Sequence, residues 1–206
     1  MKNNVRKYIP AFAIIVIGIL LIGYSYFTKS AGTHQGPPPS GILPNKHEEE
    51  GLGIFKLLGN GAILLGALSF SWFLLKKNLK SSSKLIKTIV KKSYSFHTVF
   101  GFVGLILVVI HGGYYLITDF SNHNTLTGIA AFLIMACLAG YGYYFKKSKN
   151  KLLKKVHYYL SFVWIIAIFI HGGGFVITTG AGLLLIVFLI SYIEKKPKLK
   201  LKGTHD

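Results

Sequence analysis

Two apolar segments of the chain each begin and end with a histidine, and this pattern most constrains what the chain can fold into. The segments are "HTVFGFVGLILVVIH", from His97 to His111, and "HYYLSFVWIIAIFIH", from His157 to His171. Neither contains a charged residue, and in both the two histidines lie fourteen positions apart. Fourteen residues of α-helix make about four turns and rise about 21 Å, so both histidines of a segment lie on nearly the same helix face.

The uncharged runs of the chain are long enough to be membrane spans. Hydrophobic residues make up 51% of the 206 residues, and the charges are gathered in short clusters between the apolar runs. A transmembrane helix needs about 20 predominantly apolar residues. We therefore predict one all-α, polytopic membrane domain, a bundle of six transmembrane helices whose first span is retained as an anchor. The predicted spans are Tyr8–Phe27, Leu52–Leu75, Tyr94–Thr118, Leu126–Phe145, Val156–Phe175 and Thr178–Ile193.

The basic residues predict the orientation of the spans. Of the 24 Lys and Arg residues, three precede the first span, seven lie within 76–92, six within 146–155 and five within 195–202. Only Lys29, Lys46 and Lys56 remain for the opposite side. Because cytoplasmic loops carry an excess of Lys and Arg, we expect both termini in the cytoplasm and the chain in the cytoplasmic membrane. The same layout accounts for the net charge of +18, so we predict no nucleic-acid partner.

Residues 28–51 form a predicted outer loop that is rich in Gly and Pro. We expect solvated side chains for His34, His47 and Glu48–Glu50 in this loop, with contact to a metal ion as the alternative. We also expect solvated side chains for His123, in a short outer loop, and for His205, in the tail.

An internal repeat relates the two histidine segments. The stretch "VIHGGYYLIT" (Val109–Thr118) matches "FIHGGGFVIT" (Phe169–Thr178) at an offset of 60 residues. Residues 94–145 and 156–193 therefore look like a duplicated two-helix unit, in which the histidine pairs occupy equivalent places. Since spans three and five run in the same direction, we expect His97 and His157 at the inner level of the membrane, and His111 and His171 at the outer level.

Two imidazoles at one level suit haem better than zinc. A structural zinc ion takes four protein ligands, and no Cys, Asp or Glu lies nearby in the sequence. Haem supplies four nitrogens of its own and needs only two axial ligands, so the pattern predicts two stacked bis-histidine haems. The alternatives without a metal are histidines that form hydrogen bonds between helices or that relay protons.

Several other residues of these helices fit a haem site. Gly104 and Trp164 each lie seven residues after a histidine, and hence on its helix face, midway between the two levels. They are predicted either to fill the gap that an electron must cross or to be ordinary core. Further glycines would let the backbone approach a flat macrocycle, namely Gly101, Gly112, Gly113 and Gly172–Gly174.

At these residues the sequence resembles the ferric reductase-like transmembrane domain family. That family includes ferric-chelate reductases, the membrane half of NADPH oxidases and the haem subunit of a bacterial methionine sulfoxide reductase system. The resemblance covers most of the chain, since it rests on six spans with paired histidines on the third and fifth. It implies that His97 and His157 ligate an inner haem b, that His111 and His171 ligate an outer one, and that electrons pass outwards. Many members have the second pair one residue closer, whereas here both separations are equal.

The residues predict an electron carrier without acid–base catalytic residues. The chain offers no paired carboxylates or catalytic triad, and Cys137 is its only cysteine. No Gly-rich dinucleotide fingerprint is present, so we predict no flavin or NAD site in this chain. The donor would be a separate flavoprotein on the lysine-rich face or a membrane quinol, and the acceptor would be ferric iron, oxygen or a partner protein.

Two other functions stay open at this point. One is a quinol-oxidising cytochrome b that anchors a larger redox complex. Cytochrome b of the quinol-oxidising complexes also has equal histidine spacing, but its ligands lie on the second and fourth spans, and its Pro-Glu-Trp-Tyr motif is absent here. The other is a haem-free transporter whose histidines move protons.

Overall fold

The protein consists of α-helices throughout the residues that the structure describes. This structure is a computed structural model, and it describes residues 7–31, 46–120 and 122–195. No strand occurs within those ranges, which confirms the all-α prediction. The elements are α1 (Ile9–Ala31), α2 (Lys46–Leu75), a 3-10 helix (Lys76–Lys80), α3 (Lys84–Thr118), α4 (His123–Ser148) and α5 (Lys151–Lys195).

All five α-helices in the described ranges are long and apolar enough to cross a membrane. Large apolar side chains point away from the bundle on several of them: Phe12 is 70% exposed and Ile117 is 87% exposed. Exposing such side chains to water is unfavourable by about 25 cal/mol for each Å² of apolar surface. A lipid bilayer is therefore the environment that this surface fits.

Polar residues set the turn between α4 and α5 and the start of α4. The side chain of Asn122 accepts a hydrogen bond from the Asn124 N–H at 2.8 Å and so caps α4. Lys149 ends α4 in the left-handed region, at φ 52°, and its N–H donates to the Phe145 carbonyl. Asn150 then accepts from the Leu152 N–H at 2.9 Å, which begins α5. The two helices thus form a tight antiparallel hairpin.

Helices α1 and α2 extend into the predicted 28–51 loop from both sides. α1 continues to Ala31, and α2 begins at Lys46, because the lysine and glutamates that open α2 are good helix formers. His47 and Glu48–Glu50 lie in the first turns of α2, and their side chains lie outside the described part of the chain, as do His34 and His205.

The predicted fifth and sixth spans both lie within α5, in which two helical parts are joined at a kink. Only Gly173 interrupts it, with φ 51° and ψ −128°. This conformation is accessible to glycine and strained for residues with a Cβ. The apolar runs of the sequence predicted the interruption slightly later, in the short connection between Phe175 and Thr178, because the backbone conformation of a single glycine leaves no mark on hydropathy.

The packing of α5 against α2 shows that the chain bends back at Gly173. Before it, Trp164 packs against Gly66; after it, Val187 shares a buried cluster with Leu75. Gly66 and Leu75 are nine residues apart, about 14 Å along a helix. A straight helix would separate Trp164 from Val187 by about 34 Å, too far for both contacts. The residues after Gly173 therefore run back along α2, in the direction opposite to that of the residues before Gly173.

Helix α4 is the most buried helix of the bundle, and the main core forms around it. This core brings together buried side chains of α1, α4 and α5, among them Ala11, Ile134, Leu160 and Trp164. A second cluster joins the end of α2 to the start of α3 and to the returning part of α5 through Leu75. Both clusters fix α3 and α5 within the bundle, and these two helices carry the histidines.

Candidate functional site: two histidine pairs between α3 and α5

The four histidines of the two segments meet in two pairs. The ring centres of His97 and His157 lie 6.0 Å apart, and those of His111 and His171 lie 6.3 Å apart. Helices α3 and α5 must therefore run parallel, with equal histidine spacing bringing the rings together at two levels about 21 Å apart along the helices. We call His97/His157 the first pair and His111/His171 the second pair.

Each of the four rings is held by a hydrogen bond from its Nδ1 atom to the neighbouring helix. Helix α2 supplies the acceptors for α3, and helix α4 supplies those for α5. The acceptors are the Ser69 carbonyl for His97 at 2.9 Å, the Phe55 carbonyl for His111 at 2.7 Å, the Leu138 carbonyl for His157 at 2.9 Å and the Thr127 hydroxyl for His171 at 3.2 Å.

These bonds fix the tautomer of the rings. A backbone carbonyl can only accept, so the Nδ1 atoms of the three rings bonded to carbonyls must carry the proton. The Thr127 hydroxyl already donates to the Asn124 carbonyl at 2.9 Å, so it accepts from His171. In each neutral ring the other nitrogen, Nε2, keeps its lone pair. Metal-ligating histidines characteristically donate their second nitrogen in this way, which orients the ring and raises its basicity.

The separation within each pair fits a metal ion between the two rings. With metal–nitrogen bonds of about 2.0 Å, and with the nitrogen about 1 Å from its ring centre, two imidazoles on opposite sides of one metal have centres about 6 Å apart. The planes of the paired rings are inclined at 84° and 73°, which rotation of a ligand about its metal–nitrogen bond permits. No group of three or more His, Cys, Asp or Glu side chains lies together in the described ranges. The donor set is thus two imidazoles at each level, as haem requires and as zinc does not.

Glycines on α2 and α4 lie close to three of the four rings. A Cβ placed on Gly59 would lie 2.7 Å from Cε1 of His111, one on Gly128 would lie 2.9 Å from Cε1 of His171, and one on Gly142 would lie 3.0 Å from Cε1 of His157. Contacts as short as those at Gly59 and Gly128 are shorter than real Cβ atoms make, so these two positions need glycine for the rings to sit where they do; at Gly142 the ring would have to shift by a few tenths of an ångström.

These supporting residues were not predicted from the sequence, although their spacing carried a signal. Gly128 and Gly142 are fourteen residues apart, as are the acceptors Phe55 and Ser69 on α2. The interval that separates the histidines thus recurs on the helices that hold them. In space, α2 supports α3 as α4 supports α5, so the histidine environments repeat as two helix pairs.

Trp164 lies between the two levels and packs against α2. It is 8% exposed, and a Cβ on Gly66 would lie 2.6 Å from its Cη2 atom. Gly104 is also buried, but the atoms closest to its Cβ position belong to Leu65, Ala62 and Met135, at 3.6 to 3.7 Å. The glycine that the indole contacts is therefore Gly66, while Gly104 lets α3 approach α2 closely.

The other glycines that the sequence analysis singled out have varied surroundings. A Cβ on Gly112, Gly113 or Gly174 would meet nothing within 4 Å, so space is open beside the second pair. A Cβ on Gly101 would lie 3.5 Å from the Ser69 hydroxyl, an ordinary contact, whereas one on Gly172 would press on Val176 at 2.7 Å.

The first pair lies towards a lysine-rich end of the bundle. The starts of α3 and α5 and the ends of α2 and α4 meet there, and they carry the lysines of 76–92 and 146–155. Tyr141 on α4 donates to the Lys7 carbonyl, which places the start of α1 at the same end. Among lysines with described side chains, Lys56 is the exception, since it follows Phe55 at the level of the second pair.

His123 lies at the opposite end of the bundle, where it opens α4. The Ser25 hydroxyl on α1 bonds to its Nδ1 and donates to its carbonyl at 3.0 Å, and Tyr26 packs edge-on against the ring. The ring is half-buried and holds α1 to α4, which differs from the solvated loop residue that the sequence predicted.

Comparison of the chain with models of known protein families, with curated proteins and with solved structures gives no match.

Proposed function

We propose that the protein is a bis-haem b electron carrier that passes electrons across the cytoplasmic membrane, similar to the ferric reductase-like transmembrane domains. The observation that carries this proposal is the meeting of four imidazoles in two pairs, with ring centres 6.0 and 6.3 Å apart. Neither pair has a third metal-binding side chain beside it in the described ranges, and haem is the common cofactor that needs two histidines and no more.

In this proposal His97 and His157 would hold an inner haem, and His111 and His171 would hold an outer haem. The hydrogen bonds at Nδ1 hold each ring against α2 or α4 and leave Nε2 for the iron. When bound, the two haems would supply one-electron chemistry at two depths of the membrane. The apolar surroundings exclude water and, with the imidazole hydrogen bonds, would tune the potentials.

We further propose that the chain crosses the membrane six times, with both termini in the cytoplasm. The return of α5 along α2 after Gly173 supports a sixth crossing. The gathering of lysines at the end nearer the first pair supports a cytoplasmic location for that end, since cytoplasmic loops are enriched in Lys and Arg. The first pair would then receive electrons and the second pair would deliver them.

The main competing function is a haem-free transporter in which the histidines relay protons. A relay would need polar groups or water between the two levels. The core side chains of α3 and α5 between the two levels include Leu160, Trp164, Leu105 and Val108, none of which exchanges a proton near neutral pH. Each Nδ1 proton is also committed to a fixed acceptor on the neighbouring helix, so the geometry favours ligands over relay groups.

The donor in this proposal acts at the lysine-rich end, either as a separate flavoprotein or as a membrane quinol. The acceptor acts at the end that carries the second pair and would be ferric iron, oxygen or a partner protein.

The decisive measurement is a dithionite-reduced minus oxidised spectrum of the purified chain, with haem quantified per polypeptide. We expect a sharp α-band of a six-coordinate haem b and two haems per chain. Colourless protein purified from haem-replete cells would overturn the proposal. One haem per chain would restrict haem binding to one of the two histidine pairs.

A further inference from the structure

A second site lies at the lysine-rich end, on the other side of α4 from the first histidine pair. It is a partly open cavity of about 430 Å³. The start of α1, the last three turns of α4 and the start of α5 form its walls. They contribute Lys7, Pro10, Cys137, Gly140, Tyr141, Tyr144, Ser148 and Leu153.

The turn of α4 that forms the wall of this cavity also holds the first pair. Cys137 faces the cavity, while the carbonyl of the next residue, Leu138, accepts from His157 at 2.9 Å. Tyr141 faces the cavity, while the Cβ position of Gly142 lies 3.0 Å from Cε1 of His157. A group in the cavity would thus be separated from His157 by the width of one helix, about 10 Å.

We propose that this cavity binds the ring of a membrane quinol, which donates electrons at the first pair. The inference rests on the proposed function, since it names the donor for that electron carrier. The volume is in the range of small-molecule sites, about 300 to 1,000 Å³, and the lining is almost wholly apolar, which suits a ligand that arrives from the lipid with an isoprenoid tail. Apolar side chains and two tyrosine rings suit the faces of a quinol ring. Lys7 and Ser148 also line the cavity, and the Ser148 hydroxyl, which donates to the Tyr144 carbonyl at 2.7 Å, can accept from a quinol hydroxyl group.

The lining favours a quinol over the other ligands that reach this end of a membrane protein. A flavin nucleotide or a phospholipid headgroup carries phosphate, which proteins hold with several donors or cations. Lys7 is the one cation that lines this cavity, and the Tyr141 hydroxyl is already committed to the Lys7 carbonyl. A neutral ring with two hydroxyl groups makes no such demand.

The redox step balances with the groups already proposed. Oxidation of the quinol breaks two O–H bonds and leaves a quinone. The two protons go to water at the lysine-rich rim, and the two electrons match the one-electron capacity of each of the two haems. The chain's own part is to seat the ring against α4, beside His157.

The test uses a single cysteine as a reporter of occupancy. A Cβ on Gly140 meets nothing within 4 Å, so Gly140→Cys in a Cys137→Ala background places a reactive thiol in the open cavity. Gly23→Cys in the same background is the matched control, because Gly23 also faces open space, on α1 outside the cavity. Labelling by N-ethylmaleimide is followed by intact mass in lipid nanodiscs, with decylubiquinone or with added phosphatidylglycerol.

We expect decylubiquinone to slow labelling at position 140 at least five-fold, in a saturable way, and to leave labelling at position 23 unchanged. Equal protection by phosphatidylglycerol would reassign the cavity to lipid, and no protection, or equal protection at both positions, would overturn the proposal. Because labelling does not depend on haem, protection in a chain that lacks haem would mean that the proposed function fails while the ligand site stands. A haem-loaded chain without protection would mean that the quinol site fails while the proposed function stands.

As a second measurement, Gly140→Leu fills the cavity without touching His157. It should lower the rate at which a short-chain quinol reduces the haem-loaded protein about ten-fold or more, with no change in reduction by dithionite. An unchanged rate with quinol contradicts the proposal. Gly23→Leu, which adds the same bulk elsewhere, serves as the control.

Discussion

Nδ1 of His111 lies 2.7 Å from the carbonyl oxygen of Phe55, and this bond ties the histidine of α3 to the backbone of α2. One turn further along α2, Gly59 closes over the edge of the same ring. The ring is therefore fixed on two sides by backbone atoms, and its freedom to rotate away from His171 is small. A ligand oriented by its surroundings before the metal binds loses less entropy on binding.

Replacing one histidine of a pair should remove the haem of that pair and spare the other. His97→Ala or His157→Ala is expected to lower the haem content from two per chain to one, and His111→Ala or His171→Ala to do the same at the second level. One imidazole leaves the iron without its second axial ligand. Haem per chain and the potential of the remaining haem are the measurements, since the two levels should leave different residual potentials.

His123→Ala is the control for these variants, because His123 is a half-buried histidine outside both pairs. It should keep both haems. If all four pair variants also keep both haems, the ligand assignment is wrong.

Gly59 should be intolerant of a methyl group, whereas Gly61 on the same helix should accept one. In Gly59→Ala the Cβ would lie 2.7 Å from a ring that cannot move without losing the bond to Phe55. Such overpacking costs about 1–3 kcal/mol, which exceeds or cancels the gain of about 1 kcal/mol from replacing glycine by alanine in a helix. In Gly61→Ala the neighbour is the end of Leu107 at 3.5 Å, an ordinary contact, so the gain remains.

Thermal unfolding in detergent and haem content check this prediction together. Gly59→Ala should unfold at a lower temperature and lose haem selectively from the second level, while Gly61→Ala should match or exceed the parent in both. Equal behaviour of the two variants would contradict the close contact at Gly59.

The sequence predicted the features that depend on the length of apolar segments and on histidine spacing. It missed the features that depend on backbone atoms and on which helices are neighbours. The histidine spacing was sufficient to predict that His97 meets His157 and His111 meets His171, because two parallel helices with the same interval align both pairs. The Nδ1 acceptors escaped prediction since most are backbone carbonyls, which any residue type supplies. The partner of Trp164 also escaped, because helical arithmetic places the residue on a face but does not say which neighbouring helix approaches it.

The contact between Trp164 and Gly66 should appear as an energetic coupling. In Gly66→Ala the Cβ would lie 2.6 Å from the buried indole, so we expect a clear loss of thermal stability. Trp164→Leu should also destabilise, through the cavity that it leaves. The double variant should lose less than the sum of the two, by about 1 kcal/mol or more, because the smaller side chain makes room for the methyl group.

Gly104→Ala in a parallel cycle with Trp164→Leu tests the alternative partner. Its Cβ would meet atoms at 3.6 Å and beyond, so little destabilisation and an additive double variant are expected. Coupling at position 104 and additivity at position 66 would reverse the assignment.

The bend at which α5 turns back should require glycine at position 173. Its φ of 51° with ψ of −128° is strained for any residue with a Cβ, so Gly173→Ala is expected to cost about 1–3 kcal/mol. Gly174→Ala next to it lies in helical backbone with open space at its Cβ, and should gain up to about 1 kcal/mol from helix propensity. Thermal unfolding of the two variants, measured side by side in detergent, separates these effects by their opposite signs.

The cost at position 173 has a structural consequence as well, because relaxing the backbone there towards a continuous helix would carry Val187 away from Leu75 and Val90. A disulfide between Leu75→Cys and Val187→Cys should accordingly form readily in the Gly174→Ala background and poorly in the Gly173→Ala background, and equal yields in the two would contradict a bend that depends on this glycine.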